Sequence, residues 1–149
     1  MNLYLDSNAL IKLYHAEAGT DELVKLLDDN ADNLILTIAD ITRIEFYSAF
    51  LKRVRKKEIK LETVKEVLSA FENDIFMFNF MEVDNIVKTI AVDLLKTTAN
   101  KQGLTTLDSI QLAAAITAHR IFPIDRFVTS DRILLNIAKK YFRTFNPES

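Results

Sequence analysis

The chain predicts an α/β fold, with helices layered on both sides of a parallel sheet in a single domain spanning residues 1–149. Three observations carry that expectation. Short apolar runs alternate with helical segments from end to end, as βα units require. The 149 residues are 49% hydrophobic and 27% charged, with only two Gly and two Pro, a balance that suits a compact, helix-rich chain. Four acidic residues, Asp6, Glu45, Asp108 and Asp131, each lie where an apolar run ends or a helix begins. In a parallel sheet those places converge at the carboxyl edge of the strands, where ligands bind.

In order, Asn2–Leu5 reads as a buried strand followed by a short helix to about Tyr14. Gly19, Thr20 and Asp21 open a helix that ends near Asp28 to Asn30. Leu34–Ile38 is a second strand. Asp40 or Thr42 then opens a long helix to about Lys57, and Leu61–Asn73 returns against it as a helical hairpin. The Phe-rich run Ile75–Met81 reads as a third strand. Asp84–Lys101 is helical and stops at Gly103, a good residue for the position after a helix. Thr106–His119 is a helix, Phe127–Thr129 a fourth strand, Asp131–Lys140 the last helix, and Phe142–Phe145 a short edge strand. Repeats, low-complexity tracts and linkers are lacking, so one domain suffices.

Composition narrows the function. With no cysteine there is no disulfide, thiolate metal site or cysteine nucleophile. The opening segment has no basic leader, and Asp6 interrupts its apolar stretch, so a signal peptide is not expected. No apolar run approaches the roughly 20 residues that span a bilayer. A cytoplasmic protein without membrane contact is the expectation. The net charge of −2 exerts no general pull on nucleic acid. Between Arg43 and Lys60, however, seven basic residues face two acidic ones. That stretch is a solvated helix end or a contact for phosphates or an acidic partner.

The acids pose an electrostatic problem. Two carboxylates 4 Å apart repel by roughly 4 kcal/mol at an effective dielectric near 20. A divalent cation relieves the repulsion, and hard oxygen ligands suit Mg²⁺ or Mn²⁺. Singly, Asp108 and Asp131 could be ordinary helix starters favoured by the helix dipole. Asp6 and Glu45 are not expected to be caps. On a helical projection Ile41, Ile44, Ser48 and Leu51 share a face taken as core-facing. Glu45 lies about 40° from Ile41, a costly place for an uncompensated carboxylate. Phe46, Tyr47 and Phe50 project elsewhere, and a helix apolar nearly all round is deeply buried or touches a second chain. Packing inside the hairpin is the simpler reading. Exposed aromatics there would instead meet a partner segment or a second copy. In the later helix Asp108, Gln111, Leu112, Ala115 and His119 share a face.

The run Leu5-Asp6-Ser7-Asn8-Ala9-Leu10-Ile11 resembles the opening motif of PIN-domain ribonucleases. The resemblance continues through Thr42-Arg43-Ile44-Glu45 and through Thr105 to Ala113 around Asp108, and closes with Phe127-Val128-Thr129-Ser130-Asp131. The four motifs stand in family order and cover nearly the whole chain. The compact length is similar to that of VapC-type toxins of toxin–antitoxin pairs. The resemblance implies a doubly wound sheet in strand order 3-2-1-4-5 with an acidic pocket at its carboxyl edge. Asp6, Glu45 and Asp108 would be the principal metal-site acids, and Asp131 a fourth, more variable one. Ser7, Asn8, Thr129 and Ser130 would hold a carboxylate or a water. Arg43, Lys52 and Arg132 are candidate phosphate contacts. The implied activity is endonucleolytic hydrolysis of RNA with Mg²⁺ or Mn²⁺, and the implied partners are a cognate antitoxin and a second copy of the chain as a homodimer.

Other chemistries fit less well. A haloacid-dehalogenase-like phosphatase wants an acid two positions after the first Asp, where this chain has Asn8. A serine hydrolase needs a histidine partner, and only His15 and His119 exist. His119 lies eleven residues past Asp108 on one helix, about 16 Å away. No glycine-rich loop is present to cradle a nucleotide. Two alternatives stay open: a general RNA-processing nuclease, and a catalytically weak module that binds RNA or protein. The RNA target cannot be read from the sequence.

Overall fold

Strand β1 (Asn2–Leu5) runs through the middle of the molecule and fixes its architecture. Leu3 and Leu5 point to one face of the sheet and Tyr4 to the other, the two-residue period of a strand buried on both sides. A computed structural model describes residues 1–149. It places β1 between β2 (Ile35–Ala39) and β4 (Arg126–Val128), with β3 (Phe78–Met81) and β5 (Thr144–Phe145) at the edges. All the pairings are parallel and the order is β3-β2-β1-β4-β5, as the resemblance implies.

Helices α1 (Ser7–Tyr14), α2 (Thr20–Asp28), α3 (Ile41–Arg55) and α4 (Leu61–Asp74) contribute to the core that includes Leu3, Leu5, Ile38, Phe78 and Val128. Helices α5 (Asn85–Thr98), α6 (Thr106–Ile121) and α7 (Arg132–Ala138) pack on the other face, against Tyr4, Ala39 and Phe127. Ala113, Ala114 and Ala115 are fully buried, the small side chains allowing α6 to approach its neighbours closely.

Several expectations are corrected. Only Phe78–Met81 is strand; Ile75–Met77 is a 3₁₀ turn that continues α4, with Phe76 and Met77 exposed. Helix α5 ends at Thr98, so Gly103 does not terminate it. The last strand is confined to Thr144–Phe145. Gly19 precedes α2 without a side-chain cap, in the left-handed conformation (φ 86°) that favours glycine. A Cβ there would stand 2.9 Å from Pro147.

The larger correction concerns α3. Its core-facing residues are Thr42, Phe46 and Phe50, whereas Ile44 and Leu51 are exposed. Phe46 and Phe50 are thus not a partner surface. Phe46 packs on Phe71 of α4 at 4.4 Å and on Phe50 at 4.8 Å, and Tyr14 of α1 meets its ring edge-on at 5.4 Å. The Tyr47 hydroxyl donates to Glu72 of α4, which also pairs with Arg43. The α3–α4 turn passes through Lys57 at φ 60°, a left-handed position outside glycine.

Candidate active site

The carboxyl ends of β1 and β4 lie side by side, and the sheet turns outward in opposite directions from β1. This is the topological switch point at which α/β sheets form ligand crevices. Asp6 follows β1 directly. Its backbone N–H donates to Val128 O at 3.2 Å, continuing the ladder by one residue.

Asp6 is 3% exposed and caps α1, contrary to expectation: Oδ1 accepts from the Ala9 N–H at 2.8 Å. Oδ2 accepts from the Thr129 hydroxyl. Burial pushes the Asp6 carboxyl up to about 7, against the hydrogen bonds from Thr129 and Ala9, and the charges of Asp108 and Glu45 push in the same direction. The carboxyl therefore sits where its charge is unfavourable without a counter-ion.

Glu45 is half-buried on α3, and Gln111 of α6 compensates it. Gln111 Nε2 lies 2.9 Å from Glu45 Oε1, 2.9 Å from Thr42 Oγ1 and 3.1 Å from Ser7 Oγ. An amide nitrogen has two protons, so two of these three acceptors are served at a time. Gln111 Oε1 accepts from the buried Tyr4 hydroxyl at 2.7 Å. Burial raises Tyr4 well above its ordinary range, with the charges of Asp6 and Glu45 adding to the effect, so it serves as a neutral donor.

Asp108 occupies the first turn of α6 but does not cap it; Thr105 does, accepting from the Asp108 N–H at 3.2 Å. Burial raises the Asp108 carboxyl, as do the charges of Asp131 and Glu45, while a hydrogen bond from Thr105 lowers it. Asp131 is the cap of α7, its Oδ1 accepting from Leu134 N–H at 2.8 Å. Its own N–H donates to Thr129 Oγ1 at 3.1 Å. One threonine hydroxyl thus spans Asp6 and Asp131. All four acids belong to one electrostatic neighbourhood.

The auxiliary positions divide. Thr129 and Ser7 join the network just described, Asn8 is exposed beside it, and the Ser130 hydroxyl is buried. Among the basic residues, Arg132 stands next to Asp131 and lines a hollow with Asn8 and Ser130. Arg43 is instead turned to Glu72 at 2.9 Å. Lys52 is exposed, about 10 Å beyond Glu45 along the helix axis. The network role of Gln111, and the parts played by Tyr4 and Thr42, were not anticipated. The available signal was a polar residue on the apolar stripe of α6, one turn after Asp108. His119 accepts from Ile124 N–H and packs against Phe142, so it serves packing.

No three acidic or histidine side chains converge into a preformed cage for a metal ion. The donor chemistry nevertheless fits a hard divalent cation. The groups are carboxylates whose neighbouring charges add to burial in raising the Asp6 and Asp108 carboxyls. Mg²⁺ keeps several waters and needs only one or two protein carboxylates.

This sheet order, with acids gathered at its switch point, is the frame of a PIN domain. The PIN domain profile matches residues 3–140, and the chain belongs to that family. It is similar to Ribonuclease VapC35 of Mycobacterium tuberculosis, 29% identical over 137 residues that cover 92% of this chain and 90% of that protein. The same fold is found in VapBC2 from Rickettsia felis bound to a DNA fragment from its promoter (TM-score 0.68, 15% identity, 98% of each chain). It also occurs in FitAcB from Neisseria gonorrhoeae (TM-score 0.69, 16% identity, 97% of each chain). A third example is VapC20 of Mycobacterium tuberculosis, a Sarcin-Ricin loop cleaving toxin (TM-score 0.64, 12% identity, 91% of this chain and 94% of that one).

Proposed function

We propose that this PIN domain is a Mg²⁺- or Mn²⁺-dependent endoribonuclease and the toxin of a toxin–antitoxin pair. The observation that carries the reading is the placement of Asp6, Glu45 and Asp108, with Asp131 beside them, at the switch point of the sheet, where burial and the neighbouring charges raise the Asp6 and Asp108 carboxyls. The names of VapC35 and VapC20 support RNA as the substrate, and the VapBC2 assembly supports an antitoxin partner.

Asp6, Glu45, Asp108 and Asp131 would hold the cation. When bound, it would favour the ionised form of Asp6, neutralise charge developing on the phosphate and acidify a water. The chain's own residues fix the acids. Ala9 N–H and Thr129 orient Asp6, Gln111 positions Glu45, and Leu134 N–H holds Asp131. Ser7 and Asn8 would supply polar groups beside the acids, Ser130 a buried hydroxyl, and Arg132, which lines a hollow with Asp131, a basic contact for RNA. Lys52 and Arg43 would act farther along the strand, Arg43 only on leaving Glu72.

RNA cleavage should require Mg²⁺ or Mn²⁺, stop with chelator, and fall at least about 100-fold in Asp6→Asn and Asp108→Asn. Equal activity of wild type and Asp6→Asn would sink the assignment. Expressed alone in bacteria, the chain should arrest growth, and the product of a neighbouring small gene should relieve the arrest. Asp6→Asn should not arrest growth. Turnover without arrest would favour a general RNA-processing nuclease, and RNA binding without turnover a binding module.

No helix is long and apolar enough to cross a membrane. We place the protein in the cytoplasm, as a homodimer. The exposed Ile44 and Leu51 on the outer face of α3 support self-association. A monomeric sedimentation profile at micromolar concentration would remove the dimer.

A further inference from the structure

The hollow lined by Asn8, Ser130 and Arg132 beside the acids is wholly polar, walled by α1, the α1–α2 connection, the β4–α7 connection and the segment after β5. At its floor is Lys12, only 3% exposed. A buried ammonium is costly unless partnered. Lys12 Nζ meets Glu17 Oε1 at 3.0 Å and Glu148 Oε1 at 2.7 Å.

These two carboxylates are not equivalent. Glu17 is also held by Arg53, at 3.1 Å through its other oxygen, and so has two cationic partners. Glu148 has Lys12 as its ion-pair partner, and its side chain is 41% exposed. It is delivered by Pro147, which is buried against Gly19. Without Glu148, Lys12 and Arg53 share the Glu17 carboxylate, leaving one net positive charge there, while at the rim Arg132 is offset by Asp131.

Ser130 Oγ is buried and makes no hydrogen bond of normal geometry, an unusual state for a hydroxyl. It nevertheless lies close enough to Glu148 to help hold that carboxyl below its ordinary range, after the larger effect of Lys12. An ammonium, an unpartnered hydroxyl and a guanidinium around a carboxylate are the donors a phosphate needs. The hollow also shares Asp131 with the candidate active site, so an anion seated there adjoins the acids.

We propose that this hollow binds an RNA backbone phosphate next to the cleaved bond, through Lys12 Nζ, Ser130 Oγ and Arg132, and that Glu148 holds the place until RNA displaces it. The inference deepens the nuclease reading and rests on RNA being the substrate. Its test is binding in chelator, independent of turnover, so the two can fail separately.

The probe is a fluorescently labelled single-stranded 12-nucleotide RNA, with affinity read by anisotropy over a range of salt. Glu148→Ala should tighten binding by about threefold or more at low salt, because a competing anion is removed. Lys12→Met should weaken it about tenfold and flatten the plot of log affinity against log salt by about 0.7, the loss of one phosphate contact. Glu148→Ala is at a half-exposed side chain and decides the matter even if Lys12→Met fails to fold. Unchanged or weaker binding in Glu148→Ala, or no RNA binding by either wild type or Glu148→Ala, overturns the proposal. Lower melting temperatures in both variants with unchanged affinity would make the trio a structural staple only. Tightening toward hexaglutamate but not RNA would assign the hollow to an acidic protein partner.

Discussion

Gln111 sits between groups with opposite requirements: the Tyr4 hydroxyl needs an acceptor, and Glu45, Thr42 and Ser7 offer acceptors to its amide. Gln111→Leu keeps the approximate volume but leaves the buried Tyr4 hydroxyl unpaired. It should destabilise the protein by about 1–3 kcal/mol, read by thermal or denaturant unfolding. It should also lower RNA cleavage by releasing Glu45, and unchanged turnover would show that Glu45 needs no such support. At this scale the sequence picked out the four acids more readily than it disclosed their local hydrogen bonds. Asp6 and Asp131 prove to be helix caps and Asp108 does not. Capping does not remove a carboxylate from a metal site, because its two oxygens present about four lone-pair directions. Asp131 caps through Oδ1 alone.

Helix α3 shows why faces are harder to read than helices. Apolar side chains stand on several sides of it, so angular projection yields two credible stripes: Ile41, Ile44 and Leu51, or Phe46 and Phe50. The choice is made by aromatic partners from elsewhere in the chain, Tyr14 and Phe71, which local periodicity cannot supply. Phe46→Ala should therefore cost about 3–5 kcal/mol, whereas Ile44→Ala, on a face exposed in the single chain, should lie within about 0.5 kcal/mol of wild type at concentrations too low for self-association. Equal losses in chemical unfolding would restore the rejected stripe. The 3₁₀ turn Ile75–Met77 was hidden for a similar reason. Its apolar side chains suit a strand, yet Phe76 and Met77 are left exposed where α4 winds down before β3.

For the molecule as a whole, the alternation of elements was legible from composition and pattern, while the strand order came from family resemblance. No local signal says that the first strand lies between the second and the fourth. The resulting burial of Asp6 has a consequence for overall stability. Its carboxyl is raised from 3.8 to about 7, so between those values the folded state holds a proton that the unfolded state has released. Stability in chelator should fall as pH rises through that window and level off above it, by up to about 4 kcal/mol from this group. Melting temperatures of wild type and Asp6→Asn should converge near pH 4 and separate toward pH 8, with the variant higher. Mg²⁺ or Mn²⁺ should raise the wild-type melting temperature more at pH 8 than at pH 5. Parallel profiles for the two proteins would show that Asp6 is not under this strain.

Thr129 donates to Asp6, so the sixth residue of the chain is completed by one 123 positions later. During synthesis Asp6 is made long before Thr129, which directly follows β4. A ribosome making this protein therefore carries a growing chain whose acidic crevice lacks one wall. The order of translation thus leaves Asp6 without its buried hydroxyl donor until β4 and the threonine that follows it have been made.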